Sequence, residues 1–94
     1  MIKSFKNEAA RAAWDRRFVK GVPHEVLRIG NRKLLQLHNA RSLHDLRAPP
    51  GNRLEALAGD RRGQHSIRIN DQWRVCFVWD DGDAYDIEIV DYHA

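Results

Sequence analysis

A single cysteine, Cys76, stands in the whole chain, so no internal disulfide can staple the fold, and its place inside the apolar run VCFV marks it as a small buried hydrophobe. Such usage suits a reducing compartment. No apolar stretch reaches the length of a signal-peptide core or a membrane span, and the opening MIKSFKNEAARAAW is interrupted by charge. The chain is therefore expected to be soluble and cytoplasmic, with no membrane partner. HExxH, GxSxG, paired cysteines and a phosphate-binding glycine loop are all missing, which argues against zinc-hydrolase, serine-hydrolase and P-loop chemistry. His24, His38, His44, His65 and His93 are scattered without metal spacing, so neither a metal nor another cofactor is expected. Internal repeats, low-complexity tracts and sustained heptads are absent too.

What remains is a chain of 94 residues, expected to form one domain over residues 1–94 with little margin for its core. Lysine and arginine number 16 against 13 acids, for a net charge of +3 and a pI near 9.4. The distribution says more than the total. Arg41, Arg47, Arg53, Arg61, Arg62, Arg68 and Arg74 crowd the middle of the chain while the acids collect after Asp80, a pattern that fits a polyanionic partner as well as a solvated surface.

The C-terminal third reads as consecutive antiparallel strands. Residues 65–70 alternate His65, Ile67 and Ile69 against Ser66, Arg68 and Asn70. Asn70-Asp71-Gln72 supplies turn chemistry, residues 73–79 are aromatic and β-branched with Arg74 as their only charge, and Asp80-Asp81-Gly82-Asp83 makes the next turn. Residues 85–93 then alternate Tyr85, Ile87 and Ile89 before switching, on the same parity, to Asp91 and His93. The switch marks either a strand leaving the core for solvent or a polar cleft.

Residues 1–6 permit a short strand. Asn7 can cap a helix whose apolar positions Ala10, Ala13, Trp14 and Phe18 carry it to Lys20-Gly21-Val22. Pro23 opens a second helix with a stripe of Leu27, Gly30, Leu34 and Leu37, while Arg28, Arg32 and Lys33 point away from it. Residues 42–58 show no period and contain Pro49-Pro50-Gly51-Asn52, so they form a long connection, pinned by Leu43, Leu46, Leu54 and Leu57. The expected class is α+β, an N-terminal strand and a two-helix hairpin packed on a small, mainly antiparallel sheet whose other face stays open.

Arg74 most needs explaining, because an arginine inside an apolar strand must find a partner. A cross-sheet pair with Asp91 or Glu88 satisfies it, and so does a phosphate on its planar fork. With Asp91, Tyr92 and His93 on the neighbouring strand, a phosphate binder, an aromatic surface and a proton carrier can converge. Those are the needs of metal-free RNA cleavage. The length of the turn at Asn70–Gln72 decides whether Arg74 shares a face with Ile67 or with Arg68.

The opening MIKSF, the block APPGNRLEALAGDRRGQHSIRINDQWRVCFVW and the closing EIVDYH resemble HigB-type toxins of the RelE/ParE superfamily over essentially the whole chain. The resemblance implies a RelE-like fold and a ribosome-dependent endoribonuclease acting on mRNA. Its implied partners are the ribosome, mRNA and a HigA-type helix-turn-helix antitoxin, with operator DNA reached only through the antitoxin complex. The family's strand arginine matches Arg74, implied to stabilise the transition state. Its terminal acid, tyrosine and histidine match Asp91, Tyr92 and His93, of which His93 would transfer a proton, Tyr92 stack on a nucleotide and Asp91 set the local field. Arg53, Arg61, Arg62 and Arg68 would hold RNA phosphates. Some members place a histidine and a lysine before the GDR turn where this chain carries Glu55 and Ala58. This departure implies slower cleavage, with Glu55 as an auxiliary group. The alternative on the same scaffold is a non-enzymatic binder, such as a ParE-like inhibitor of DNA gyrase.

Overall fold

The structure is a computed structural model and describes residues 1–92. Two helices, α1 (Glu8–Trp14) and α2 (His24–Asn39), cover one face of a four-stranded antiparallel sheet with the order β1 (Glu55–Ala56), β2 (Gln64–Arg68), β3 (Trp73–Asp80) and β4 (Asp83–Asp91). Residues 1–6 run alongside β4 and pair with it in two isolated parallel bridges, Ile2 with Ala84 and Phe5 with Ile87, in place of the expected opening strand.

Asn7 caps α1 as its side chain requires, its Oδ1 accepting from the Ala10 amide at 3.0 Å. The same oxygen accepts from the Ile89 amide at 3.2 Å, so one cap ties the helix start to β4. The helix stops four residues before the expected Phe18. Asp15-Arg16-Arg17 offers nothing apolar to bury, Arg16 turns into the left-handed region at φ +60°, and Arg17 pairs with Glu8 at 2.8 Å. Phe18 is consequently 58 % exposed and lies outside the core, stacked on His24 with ring centres 4.0 Å apart.

The α2 stripe is buried as its spacing predicts, and Leu27, Gly30, Leu34 and Leu37 meet Ile67, Val75, Phe77, Ile87 and Ile89 from the sheet in one cluster. Gly30 is needed for that approach. A Cβ there would lie 3.0 Å from Ile89 Cδ1 and 3.6 Å from Ala13 Cβ. Among the described residues no helix is long and apolar enough to cross a membrane.

The long connection is ordered by polar groups as much as by leucines. It contains 3-10 turns at Leu43–Arg47, Pro50–Asn52 and Gly59–Arg61, besides β1 itself. Leu46 is fully buried, with Leu43 and Leu54 packed partly against the core. Asn52 is equally buried, and its amide donates to Gln36 Oε1 at 3.1 Å, to the Leu46 carbonyl at 3.1 Å and to the Ala48 carbonyl at 3.3 Å. Lys33 Nζ donates to Asn52 Oδ1, so this lysine, expected to point away with Arg28 and Arg32, turns instead into the seam between α2 and the connection.

Candidate active site

Strand register decides what the open face can do. Glu55, Ser66, Cys76 and Glu88 form one row across β1 to β4, and Arg68, Arg74 and Val90 form the next. Side chains alternate between faces, so these rows point away from the helices while Ile67, Val75 and Ile89 point into the core. Arg74 thus shares its face with Arg68, and the Asn70–Gln72 turn is what sets that register. Asn70 Oδ1 accepts from the amides of Gln72 and Trp73, each at 2.8 Å, and closes the turn.

The Arg74 side chain is 16 % exposed and lies flat over this face. Its Nη1 is 2.6 Å from Glu55 Oε1, 3.2 Å from Ser66 Oγ and 3.5 Å from the Arg53 carbonyl oxygen. All three contacts fall on one nitrogen. Among the described residues Nη2 and Nε have no hydrogen-bond partner, which leaves a two-donor edge of the planar fork available to an anion. The Tyr92 ring lies 5.4 Å from the guanidinium carbon, within cation–π range, and the Tyr92 amide donates to the Gln72 carbonyl at 2.6 Å. Neither Asp91 nor Glu88 is the partner of Arg74. Glu55 takes that place.

Glu88 instead holds Arg61 at 3.0 Å and Lys6 at 3.9 Å. The hydrogen bond to Glu88 pushes the Arg61 guanidinium further up, against the opposing effect of its partial burial. Cys76 lies beneath these ion pairs with no exposure, and burial pushes its thiol up, so it is an inert floor for the site. Arg68 is paired with Asp71, while Arg53 and Arg62 are exposed. Arg53 occupies the left-handed region at φ +45°, at the end of the Pro50–Asn52 turn.

Asp91 departs from the expected convergence. It pairs in register with Trp73 and shares the parity of Ile89, which puts it on the helix side of the strand end, where its carboxylate accepts from Gln72 Nε2 at 3.0 Å. The structure therefore brings Arg74, Tyr92 and Glu55 together with Ser66, and leaves Asp91 on the other face. His93 lies outside the described residues. Ala58 is exposed at the start of the Gly59–Arg61 turn and carries no polar group to offer. His44 and His65 line one cavity of about 280 Å³ on the helix side, with Leu43, Arg47, Leu54 and Ala56, and His65 is stacked on Phe77.

Sequence reasoning missed Ser66 and the Arg53 carbonyl as partners of Arg74. The register alone reveals the first, since Ser66 sits one rung from Arg74 on the same face. A backbone carbonyl leaves no signal in composition.

Comparison with known proteins places these features in a wider set. Residues 3–93 match the model of a family described as the RelE-like toxin of type II toxin-antitoxin system HigB. The chain is 33 % identical over 93 residues to Endoribonuclease HigB of Proteus vulgaris, covering 99 % of this chain and 100 % of that one. It is 46 % identical over 63 residues to Toxin HigB-1 of Vibrio cholerae serotype O1, covering 67 % of this chain and 66 % of the relative. Among solved structures, a chain of the heterotetrameric YoeB-YefM toxin-antitoxin complex from Staphylococcus aureus superposes with a TM-score of 0.62 at 17 % identity, covering 100 % of this chain and 99 % of that one, a likeness of fold.

Proposed function

The chain belongs to the HigB family of RelE-like toxins of type II toxin-antitoxin systems and is an endoribonuclease toxin, and on that premise we propose that it cuts messenger RNA on translating ribosomes without a metal ion. The observation that carries this reading is the open edge of the Arg74 fork, fixed on the sheet beside the Tyr92 ring.

In the reaction a ribose 2'-oxygen attacks the adjacent phosphorus and loses its proton. The bond to the 5'-oxygen of the next nucleotide breaks, and that oxygen gains a proton. Negative charge accumulates on the non-bridging oxygens at the transition state, where a guanidinium already held in place stabilises it without reorganising. Arg74 is assigned that role. Tyr92 presents a ring on which a base adjoining the scissile phosphate can stack. His93 is assigned the proton transfer, a role that an imidazole can fill. Asp91, the last residue of β4, is assigned the local field.

Arg53, Arg61, Arg62 and Arg68 supply sequence-independent, salt-sensitive attraction for RNA backbone. An incoming phosphate competes with Glu55 for Arg74, so Glu55 tempers the site, and Ala58 adds nothing to it. An antitoxin is the partner that the type II arrangement provides. We assign it to the HigA helix-turn-helix type, place the pair in the cytoplasm, and reach operator DNA only through their complex. Mapping transcript ends after induction tests the activity. Cuts within translated codons are expected, whereas intact transcripts accompanied by DNA breaks would identify a gyrase inhibitor.

A further inference from the structure

A second cationic feature begins at Arg68, which has no β1 residue beside it and so borders both the open face and the α2 side of the sheet. Arg32 and Lys33 of α2 and Arg68 of β2 line a cleft of about 380 Å³, closed by Ile29, Gln36 and Pro49. Its floor is built rather than incidental. Lys33 Nζ is held by Asn52 Oδ1, and the buried Asn52 amide is fixed in turn by Gln36 and by the Leu46 and Ala48 carbonyls. Burial pulls the Lys33 ammonium below its ordinary range, and the nearby charges of Arg32 and Arg68 pull it further. Among the described residues the only carboxylate paired with any of the three is Asp71, on Arg68, and its side chain is fully exposed. Three cations around a shaped space without an internal counter-charge favour an anion.

Arg68 also stands directly opposite Arg74 in the sheet register. Each of the two arginines pairs with one carboxylate on the solvent side, Glu55 for Arg74 and Asp71 for Arg68, and neither carboxylate lies between them. We propose that the α2 cleft is a phosphodiester subsite that continues an RNA backbone track from Arg74, past Arg68, to Arg32 and Lys33. The subsite rests on the RNA-cleaving reading above and holds a phosphate other than the scissile one. Continuity with Arg74 and the Tyr92 ring favours RNA over an acidic peptide, since only a nucleic acid offers both a repeating phosphate and a base to stack. The phosphate belongs either to the messenger or to ribosomal RNA, which carry the same chemistry.

The test uses the full chain and its Arg32→Gln, Lys33→Gln and double variants, with Lys33→Arg as the charge-preserving control. Binding is measured across a salt series to a cleavage-resistant 2'-O-methyl oligouridylate and, by co-sedimentation, to ribosomes. In the double variant affinity should fall about tenfold at low salt, and the slope of log affinity on log salt should shallow by roughly 1.4, the value for two lost contacts to a single strand. Lys33→Arg should retain binding. Loss on the oligonucleotide assigns the phosphate to messenger, and loss on ribosomes alone assigns it to ribosomal RNA. Unchanged affinity and slope on both probes, or a loss confined to antitoxin binding, overturns the subsite. Arg32 is exposed, so Arg32→Gln alone decides the matter if Lys33→Gln fails to fold. Measured beside these, Arg74→Ala separates the two readings. Cleavage that survives in Arg74→Ala while the cleft variants lose binding sinks the Arg74 assignment and leaves the subsite, and the converse sinks only the subsite.

Discussion

Arg74 and Glu55 form an ion pair at 2.6 Å across the open face of the sheet, with Arg74 on the central strand β3 and Glu55 on the two-residue edge strand β1. The partners differ in exposure, 16 % for Arg74 and 48 % for Glu55, so the guanidinium is fixed while the carboxylate can be displaced into water. Glu55 thus holds the Nη1 side of the fork and leaves the Nε and Nη2 edge open. On the proposed reading, a phosphate at that edge shares the guanidinium charge with Glu55, so the carboxylate weakens its binding.

Glu55→Gln should therefore increase cleavage. The half-exposed pair contributes on the order of 0.5–1 kcal/mol, which corresponds to a gain of about two- to fivefold in RNA affinity or in the rate of cutting translated mRNA. A fall in rate with unchanged RNA affinity would instead give Glu55 a direct part in proton transfer.

Asn52→Ala should loosen the connection that carries Glu55. It removes an amide with three acceptors and leaves the Leu46 carbonyl and the Lys33 ammonium without their buried partner. The expected loss is about 2–3 kcal/mol, or roughly 10–20 °C in melting temperature for a domain of this size. Calorimetry of the variant checks the value, and a change below about 0.5 kcal/mol would show that the network is solvated rather than structural.

Asp45 gives the start of the same connection a dependence on acid. Its carboxylate accepts from the Arg41 and Ser42 amides at 2.9 and 3.3 Å, and these backbone hydrogen bonds hold it below the usual aspartate range. A carboxyl depressed in the folded state contributes stability above its unfolded value, near about 4, and loses it as pH falls through the folded value. Hydrogen exchange of the Arg41 and Ser42 amides should accelerate, relative to intrinsic rates, only below about pH 4. Asp45→Asn should remove that pH dependence.

Much of this arrangement was legible in the residues. Alternation in β2 to β4 marked the sheet, the Leu27-Gly30-Leu34-Leu37 stripe marked α2, and an arginine among aromatic and β-branched neighbours marked Arg74 as a residue in need of a partner. Register was not legible, because one residue more or less in the Asn70–Gln72 turn exchanges the faces of β3 relative to β2. That choice put Arg74 beside Ser66 and Glu55 and left Asp91 with Trp73. The two-residue β1 carries no periodic signal at all. Lys33 has the sequence context of any exposed helix lysine, and only the fold of the distant Pro49–Asn52 turn brings Asn52 to it. Helical spacing carries α1 as far as Phe18, whereas the helix ends at Trp14 because the charged Asp15-Arg16-Arg17 segment has nothing to bury.

The most direct test of the account is the rate of mRNA cutting on purified translating ribosomes by the wild-type chain, Arg74→Lys and Arg74→Ala, with folding checked by melting temperature. Loss of a preorganised donor to a developing oxyanion should slow Arg74→Ala by about 10²–10³-fold. Arg74→Lys, which keeps the charge without the fork, should fall between the two. Cutting by Arg74→Ala within about twofold of wild type would contradict the assignment and reduce the open face of the sheet to a scaffold.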